Sequence, residues 1–538
     1  RRVDGVGWTA GRRPAKGGAV GLRIRLVEPR PPGRHVYDRV LLPRLGLPLI
    51  GRMLAERGHD VRVYCEVLAP VDLEECLRAD LVGVSSTTAT APAAYRLADL
   101  LAGAGVPVVL GGPHVTFCAD EALGHAPYVV RGEGESTMVE LVDALVAGRD
   151  LTGIAGLSFR DDRGEHRHNP ARPRCSQEQF ERLPSPDLGL VEGHERMTTK
   201  PIMTQWGCPF DCEFCSVTAM FSRVVRHRRP EQVLDELAGL DATSVFFHDD
   251  NFVVSKRRTR AVLEGMVERG LTPSWFAQVR ADSALRSPAR PEPDDELLEL
   301  MRRSGCRMVM IGIEAITEEA LAEAGKRQHV AAVERAVGAF HEHGIAVHGM
   351  FVAGFDADTR ETPVATADFA RRLGIDTMQL MVETPLPGTR LYQRVVAEGR
   401  LLFDDWSLFD GHQVVMRPAG STPLELQLAV LEAMRRFYSW PRIAASGLAG
   451  ALRHLPDLLS TVRPVARAPR ATLARLLRAR GSEDLAELAR QLLPPAVRAR
   501  LSGALFVPAA RLYARHQLAA WWAQERDRRH LERLATLS

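Results

Sequence analysis

Apolar positions in residues 20–150 come in short runs, at 22–27, 61–64, 81–85, 106–110 and 128–130, separated by stretches of helical spacing such as 46–57 and 91–104. Strand–helix alternation of this kind predicts a parallel, doubly wound, Rossmann-like sheet. Such sheets bind ligands at the carboxyl ends of their strands. Those ends read Ser85-Ser86-Thr87-Thr88, Gly111-Gly112-Pro113-His114 and Gly132-Glu133-Gly134-Glu135. Glycines and small hydroxyl residues let a ligand approach the backbone closely, although each loop taken singly is also ordinary turn chemistry, His114 included. Residues 151–195 read as a linker carrying one hairpin, 157–159 and 165–168 around Asp161-Asp162-Arg163-Gly164.

The alternation resumes over 196–400. Strands are expected at 202–206, 244–248, 274–279, 307–313, 346–352 and 377–382, with helices at 230–240, 255–269, 294–304, 330–343 and 362–373. Six β/α units predict a partial (β/α)6 barrel whose chemistry sits on loops at the strands' carboxyl ends. Trp275, Met308, Met310, Met350 and Met381 fall on these strands as pocket-lining candidates, or as core. Residues 401–538 read as a helical region: one amphipathic helix at 423–438, then Leu/Ala/Arg-rich segments broken by prolines. Among them Leu473, Leu476 and Leu477 make an apolar stripe.

Charge changes the picture only at that end. The chain of 538 residues has a net charge of +3, yet residues 441–538 hold 17 Arg, no Lys and 7 acidic residues. A basic helical tail suits peripheral contact with an anionic membrane surface. Its few aromatics are a poor base-stacking platform, so no nucleic-acid partner is expected. Trp521-Trp522 reads as a helix contact rather than a membrane anchor. Residues 1–19, rich in Gly and Arg, read as a disordered leader without a signal-peptide apolar core. Of eight cysteines five are scattered, which is no disulfide framework and places the chain in a reducing cytoplasm.

The other three cysteines carry the chemistry. Cys208, Cys212 and Cys215 stand at spacing C-x3-C-x2-C directly after the first strand of the second alternating region. Thiolates this close can face a common centre, and soft sulfur selects zinc or an iron–sulfur cluster. A closed zinc site takes four ligands, and no fourth Cys or His stands at matching spacing. Three thiolates on a four-iron cluster leave one iron open to a substrate.

The region 196–400 resembles the radical S-adenosylmethionine (SAM) superfamily, through this motif with aromatic Phe214 before its last cysteine and through the ordered strand ends that follow. The resemblance implies a [4Fe–4S] cluster on Cys208, Cys212 and Cys215. It implies SAM contacts from Phe214, from Asp249, Asp250 and Asn251 after the second strand, from Gln278 and Arg280 on the third, from Glu314 after the fourth, and from Gly354 after the fifth. A doubly wound domain ahead of such a barrel, with Gly-Gly-Pro-His and Gly-Glu-Gly-Glu loops, resembles the cobalamin-binding radical SAM enzymes. That layout implies cobalamin contacts from Ser85, Ser86, Thr87, Gly111, Gly112, Pro113, Glu133, Gly134 and Glu135. The Asp-x-His-x-x-Gly motif that supplies an axial histidine in many cobalamin domains is absent.

The expected activity is therefore methylation, or cyclisation or rearrangement, at an unactivated carbon of a small or lipid-like natural product. It would proceed through a deoxyadenosyl radical and need an external electron donor. Two alternatives stay open on sequence: a radical SAM enzyme without functional cobalamin, and a non-enzymatic iron–sulfur or zinc module whose basic tail binds nucleic acid.

Overall fold

The structure, a computed structural model, describes residues 21–33, 41–287, 290–445, 507–508, 510–516, 518 and 525–537. The leader, the Leu473 stripe and Trp521-Trp522 lie outside the described residues.

The first alternating region forms strands β1 (Arg23–Glu28), β2 (Asp60–Cys65), β3 (Leu81–Ser85), β4 (Val108–Gly111) and β5 (Tyr128–Val130). Strand β1 pairs in parallel with both β2 and β3. The winding direction therefore reverses between β1 and β3, which opens a crevice at their carboxyl ends. Period-two burial explains the layering. Ile24 and Leu26 pack on helices Gly46–Ala55 and Gly134–Ala147, and Val27 and Val84 pack on helix Ala91–Gly103. The hairpin read as part of the linker, β6 (Leu157–Arg160) and β7 (His166–His168), instead extends this sheet. Strand β6 pairs antiparallel with β5, giving the order β2-β1-β3-β4-β5-β6-β7.

The stretch expected as one strand at 202–206 is broken in two. Lys200–Ile202 (β8) stays in the barrel, and Gln205–Trp206 (β9) turns out to pair antiparallel with Arg226–His227 (β10). The break falls at Met203 and Thr204 because the Asp249 carboxylate accepts the backbone N–H groups of Thr204 and Gln205 at 2.7 and 3.1 Å. The barrel strands that follow are β11 (Ser244–Phe247) and β12 (Ser274–Val279). A hairpin, β13 (Leu285–Ser287) with β14 (Arg290–Pro293), precedes β15 (Cys306–Glu314), β16 (Ala346–Ala353) and β17 (Thr377–Val382). The six-stranded sheet runs β17-β16-β15-β12-β11-β8, parallel throughout, an open (β/α)6 barrel.

Alternation sorts the pocket candidates. Trp275 is fully buried in the helix-facing core, edge-on to Phe247, with its indole N–H on Ser304 Oγ at 3.1 Å. It lines no pocket. Met308 is buried as well. Met310, Met350 and Met381 stand at the opposite parity to that core and are partly exposed on the concave face. Beyond the barrel, helix Pro423–Phe437 starts in a Thr422/Glu425 capping box. At its end the Tyr438 hydroxyl donates to the Met378 carbonyl at 2.7 Å and accepts its N–H at 2.8 Å, which satisfies backbone groups of edge strand β17.

Candidate active site

The cysteine loop follows β9. Gly207 starts it at φ 85°, where a Cβ would collide with the Val224 carbonyl, so a side chain is excluded on both counts. Cys215 ends it as the N-cap of helix Ser216–Phe221, its N–H donating to the Cys212 carbonyl at 3.2 Å. All three thiols are free and partly buried. Burial pushes each above the ordinary cysteine range, and at Cys212 the Lys326 and Arg280 cations act against it. Metal ligation needs thiolates, and a multiply charged metal centre supplies the field that ionises them.

Three parts of the barrel grip the loop. Asp249 holds the preceding turn: besides the two backbone bonds it accepts from Thr204 Oγ1 at 2.6 Å. Arg280 lays its guanidinium over the Phe210 ring at 3.7 Å and donates to the carbonyls of Lys326 and Arg327, both at 3.2 Å. Helix Arg390–Ala397 reaches the loop from outside, with Arg390 on Asp211 at 2.6 Å and Arg394 on Glu213 at 2.9 Å. The geometry thus gives Asp249 and Arg280 the task of positioning the cysteines.

Other expected SAM contacts line the barrel mouth. Asp250 opens toward it, and its Oδ2 accepts the Gly207 N–H at 3.2 Å. Glu314 adopts φ 69°, a left-handed conformation uncommon for any residue other than glycine, and pairs with Lys326 at 2.7 Å directly above Gly312. Gln278 is partly exposed on the concave face of β12. Phe214 packs beside Phe355 at 6.3 Å, next to Gly354 at φ 104°. Among the described residues around the barrel mouth, four buried acceptor atoms have no hydrogen-bond partner: Gln205 Oε1, Asn251 Oδ1, Gln328 Oε1 and Glu383 Oε2. Buried acceptors are costly to leave unpaired. Gln205, Asn251 and Glu383 stand within a few residues of strand ends, and Gln328 reaches the Gly312 carbonyl at 3.4 Å from just before helix Val330–Glu342, so they fit a ligand rich in N–H donors, as the ammonium and adenine amine of SAM are. Lys326, Gln328, Glu383, Arg390 and Arg394 escaped sequence reasoning, since nothing local marks them.

Asp249 also yields a pH expectation. Burial, opposed by its bonds to Thr204, pushes its carboxyl up to about 6. A folded-state value above the unfolded one means that this group's contribution to stability rises, not falls, as pH drops through 6. What is lost is the ionised acceptor at the cysteine loop. We expect the spectrum of the bound cluster to change with a midpoint near pH 6, and Asp249→Asn to flatten that transition while the fold persists.

At the first domain's strand ends, Ser86 is buried with no partner for its Oγ, and its N–H donates to the Gly111 carbonyl at 2.9 Å. Gly112, at φ 100°, passes so close to Ser86 that a Cβ would lie 2.5 Å from its carbonyl oxygen. Ser85 is partly exposed beside it, Thr87 caps the turn Thr88–Thr90, and Pro113 opens helix Pro113–Phe117. Ser85, Thr87, Gly111, Gly112 and Pro113 are partly exposed together, so backbone with small side chains is open here to a bulky ligand, as cobalamin would be. Gly134 opens helix Gly134–Ala147, and enclosure, reinforced by the Glu133 charge, pushes Glu135 up to about 7. Glu133, expected as a cobalamin contact, has its carboxylate engaged within the protein. Its oxygens are taken by Arg226 at 2.5 Å and by the Cys175 N–H at 2.7 Å, in an ion pair buried on both sides. It fastens the first domain to the strand that follows the cysteine loop.

Two more contacts bring the domains together. The Trp406 indole N–H donates to Glu121 at 3.0 Å, and Phe117 covers Gly388, where a Cβ would lie 2.5 Å from the ring. Gly388 has φ 87°. Gly388→Ala is therefore expected to cost about 1–2 kcal/mol in backbone strain plus the clash, and to lower cobalamin retained through gel filtration. Adding Phe117→Ala should recover only the clash portion.

The chain matches the B12 binding domain over residues 39–142 and the Radical SAM superfamily over residues 202–370. It is 33% identical over 446 residues to an uncharacterized methyltransferase of Pyrococcus horikoshii, covering 78% of this chain and 94% of that protein. The chain belongs to the cobalamin-binding radical SAM enzymes. It is also 28% identical to the bacteriochlorophyllide d C-12(1)-methyltransferase of Chlorobaculum tepidum, over 68% of this chain and 76% of that one. The fold is that of the radical SAM methyltransferase TsrM from Kitasatospora setae, solved with cobalamin and a [4Fe-4S] cluster bound, at TM-score 0.58 and 22% identity over 70% of this chain and 78% of that one. Its cofactors are those of the family: a [4Fe–4S] cluster, SAM and cobalamin. Among the described residues no helix is long and apolar enough to cross a membrane.

Proposed function

We propose that this radical SAM enzyme methylates an unactivated carbon of a small, lipid-like natural product. The observation that carries the reading is the seating of the Ser85–Thr87 and Gly111–Pro113 cleft's domain on the barrel that holds the cysteines, through Glu133–Arg226, Phe117–Gly388 and Glu121–Trp406. When bound, the cluster supplies the electron that cleaves SAM, and cobalamin supplies a methyl carrier. The protein's part is to bind, orient and exclude water. Asp249, Arg280 and Arg394 fix the cysteine loop, and the orphaned acceptors around Asn251 and Glu383 orient the SAM donors. Met310, Met350 and Met381 give the concave face an adaptable apolar lining. That lining suits a lipid-like substrate, and a relative acting on bacteriochlorophyllide d supports the same class.

The test is anaerobic reconstitution with cluster and cobalamin, a low-potential donor, and SAM carrying a deuterated methyl group. Labelled lipid-like product, with deoxyadenosine and S-adenosylhomocysteine released together, is the expected result. Deoxyadenosine with unlabelled product would mean ring closure or rearrangement instead, and neither nucleoside product would end the proposal.

A further inference from the structure

A second cluster of ligating side chains lies outside the cysteine loop. His114, on helix Pro113–Phe117, Cys118, directly after it, and Glu121, on helix Ala119–Leu123, stand at spacing H-x3-C-x2-E. The turn between the two short helices folds their ligating atoms to within 4.8 Å of one another.

Two independent observations point to a ligand there. The His114 side chain is fully buried, yet neither ring nitrogen has a hydrogen-bond partner. Its Nε2 lies 3.7 Å from Glu121 Oε1, too long for a hydrogen bond. An imidazole nitrogen and a carboxylate oxygen held tetrahedrally about 2.0–2.2 Å from one ion lie roughly 3.3–3.5 Å apart, so a shift of a few tenths of an ångström brings this pair to the spacing a shared cation sets. Glu121 is also held from behind, since both its oxygens accept the Trp406 indole N–H at 3.0 and 3.2 Å. Outer hydrogen bonds of this kind are what orient a ligating carboxylate. Trp406 stands edge-on to His114 at 5.1 Å and closes the site from the barrel side.

We propose that His114, Cys118 and Glu121 bind one zinc ion at the junction of the two domains. Imidazole nitrogen, thiolate and carboxylate oxygen together are a borderline set that suits zinc. The ion satisfies the buried imidazole and pins the turn that carries Phe117 against Gly388. This site is separate from the cluster and stands whether or not the methyltransferase reading does.

The test uses the full chain, anaerobically loaded with cluster and cobalamin, incubated with Zn2+ alone and desalted. About one zinc per chain should remain, with an X-ray absorption edge showing one sulfur and otherwise nitrogen or oxygen neighbours. Cys118→Ser and Glu121→Gln should each lose the zinc while iron content holds. No retained zinc, an all-sulfur shell (zinc in the cluster cysteines), or zinc unchanged in both variants overturns the proposal. Should a variant lose iron as well, the shell measured on the unmodified chain decides.

Discussion

Cys212→Ala is expected to strip the iron and bring SAM cleavage down at least about a thousandfold, about 4 kcal/mol or more in barrier terms. Two remaining thiolates cannot hold a four-iron cluster in place of three. Cys212 is also the cysteine nearest the Lys326–Glu314 pair, so its loss opens the mouth on the side where the barrel's cations stand. Iron content, the reduced-cluster resonance and deoxyadenosine release measure the effect. Cys306→Ala is the control. That residue is buried on β15 in the helix-facing core, and its removal should leave iron at the level of the unmodified chain. Equal iron loss in both variants would mean that the cysteine loop is not the cluster site.

Arg394→Gln is expected to speed cluster loss to a chelator about tenfold, with the protein still folded. Burial disfavours the Arg394 charge, but Glu213 and Asp356 more than offset that and hold the guanidinium above the ordinary arginine value. It donates to Glu213 at 2.9 Å and to Asp356 at 2.8 Å, with Glu323 at 3.9 Å. Without it Glu213, on the cysteine loop, loses its cation, whereas Asp356 keeps Arg400 at 2.5 Å and Glu323 keeps the N–H groups of Asp356 and Ala357. Glu383, already raised by burial and by Glu323, lies close by. Breaking a largely buried pair costs several kcal/mol. Arg394 keeps about a quarter of its side-chain surface exposed, which scales the loss to roughly 1–2 kcal/mol, and 1.4 kcal/mol is a factor of ten. Arg394→Lys keeps the charge but not the two-pronged geometry and should fall between. Arg390→Gln should change little, since its pair with Asp211 is more than half exposed on the arginine side. If Arg390→Gln proves the more damaging of the two, the outer helix does not grip the loop as described.

The cysteine motif was legible because its ligands lie within eight residues on one loop, where spacing alone decides whether they can converge. Strands and helices were legible through period, and the barrel through the order of six such units. The concave-facing Met310, Met350 and Met381 could be told from buried Trp275 only once each strand's parity against the helices was known. The single strand expected at 202–206 failed for a stated reason: Asp249, more than forty residues on, captures two backbone N–H groups in its middle.

The roles that changed all rest on partners distant in sequence. Glu133 reads as a ligand in a Gly-Glu-Gly-Glu loop, and becomes a fastener because Arg226 is delivered to it by another domain. His114 reads as a turn residue, and becomes a buried imidazole with no hydrogen-bond partner because Tyr95 and Trp406 close over it from separate elements. Sequence by itself determined the reaction type, through three thiolates on one loop, and the two-domain α/β plan, through periodicity. Both are local properties that a chain carries before it folds. Tertiary structure alone decided which charges orient that loop, which acceptors stay open for a ligand, and where the domains are pinned. Those depend on desolvation and on meetings between side chains hundreds of residues apart, which no local pattern encodes.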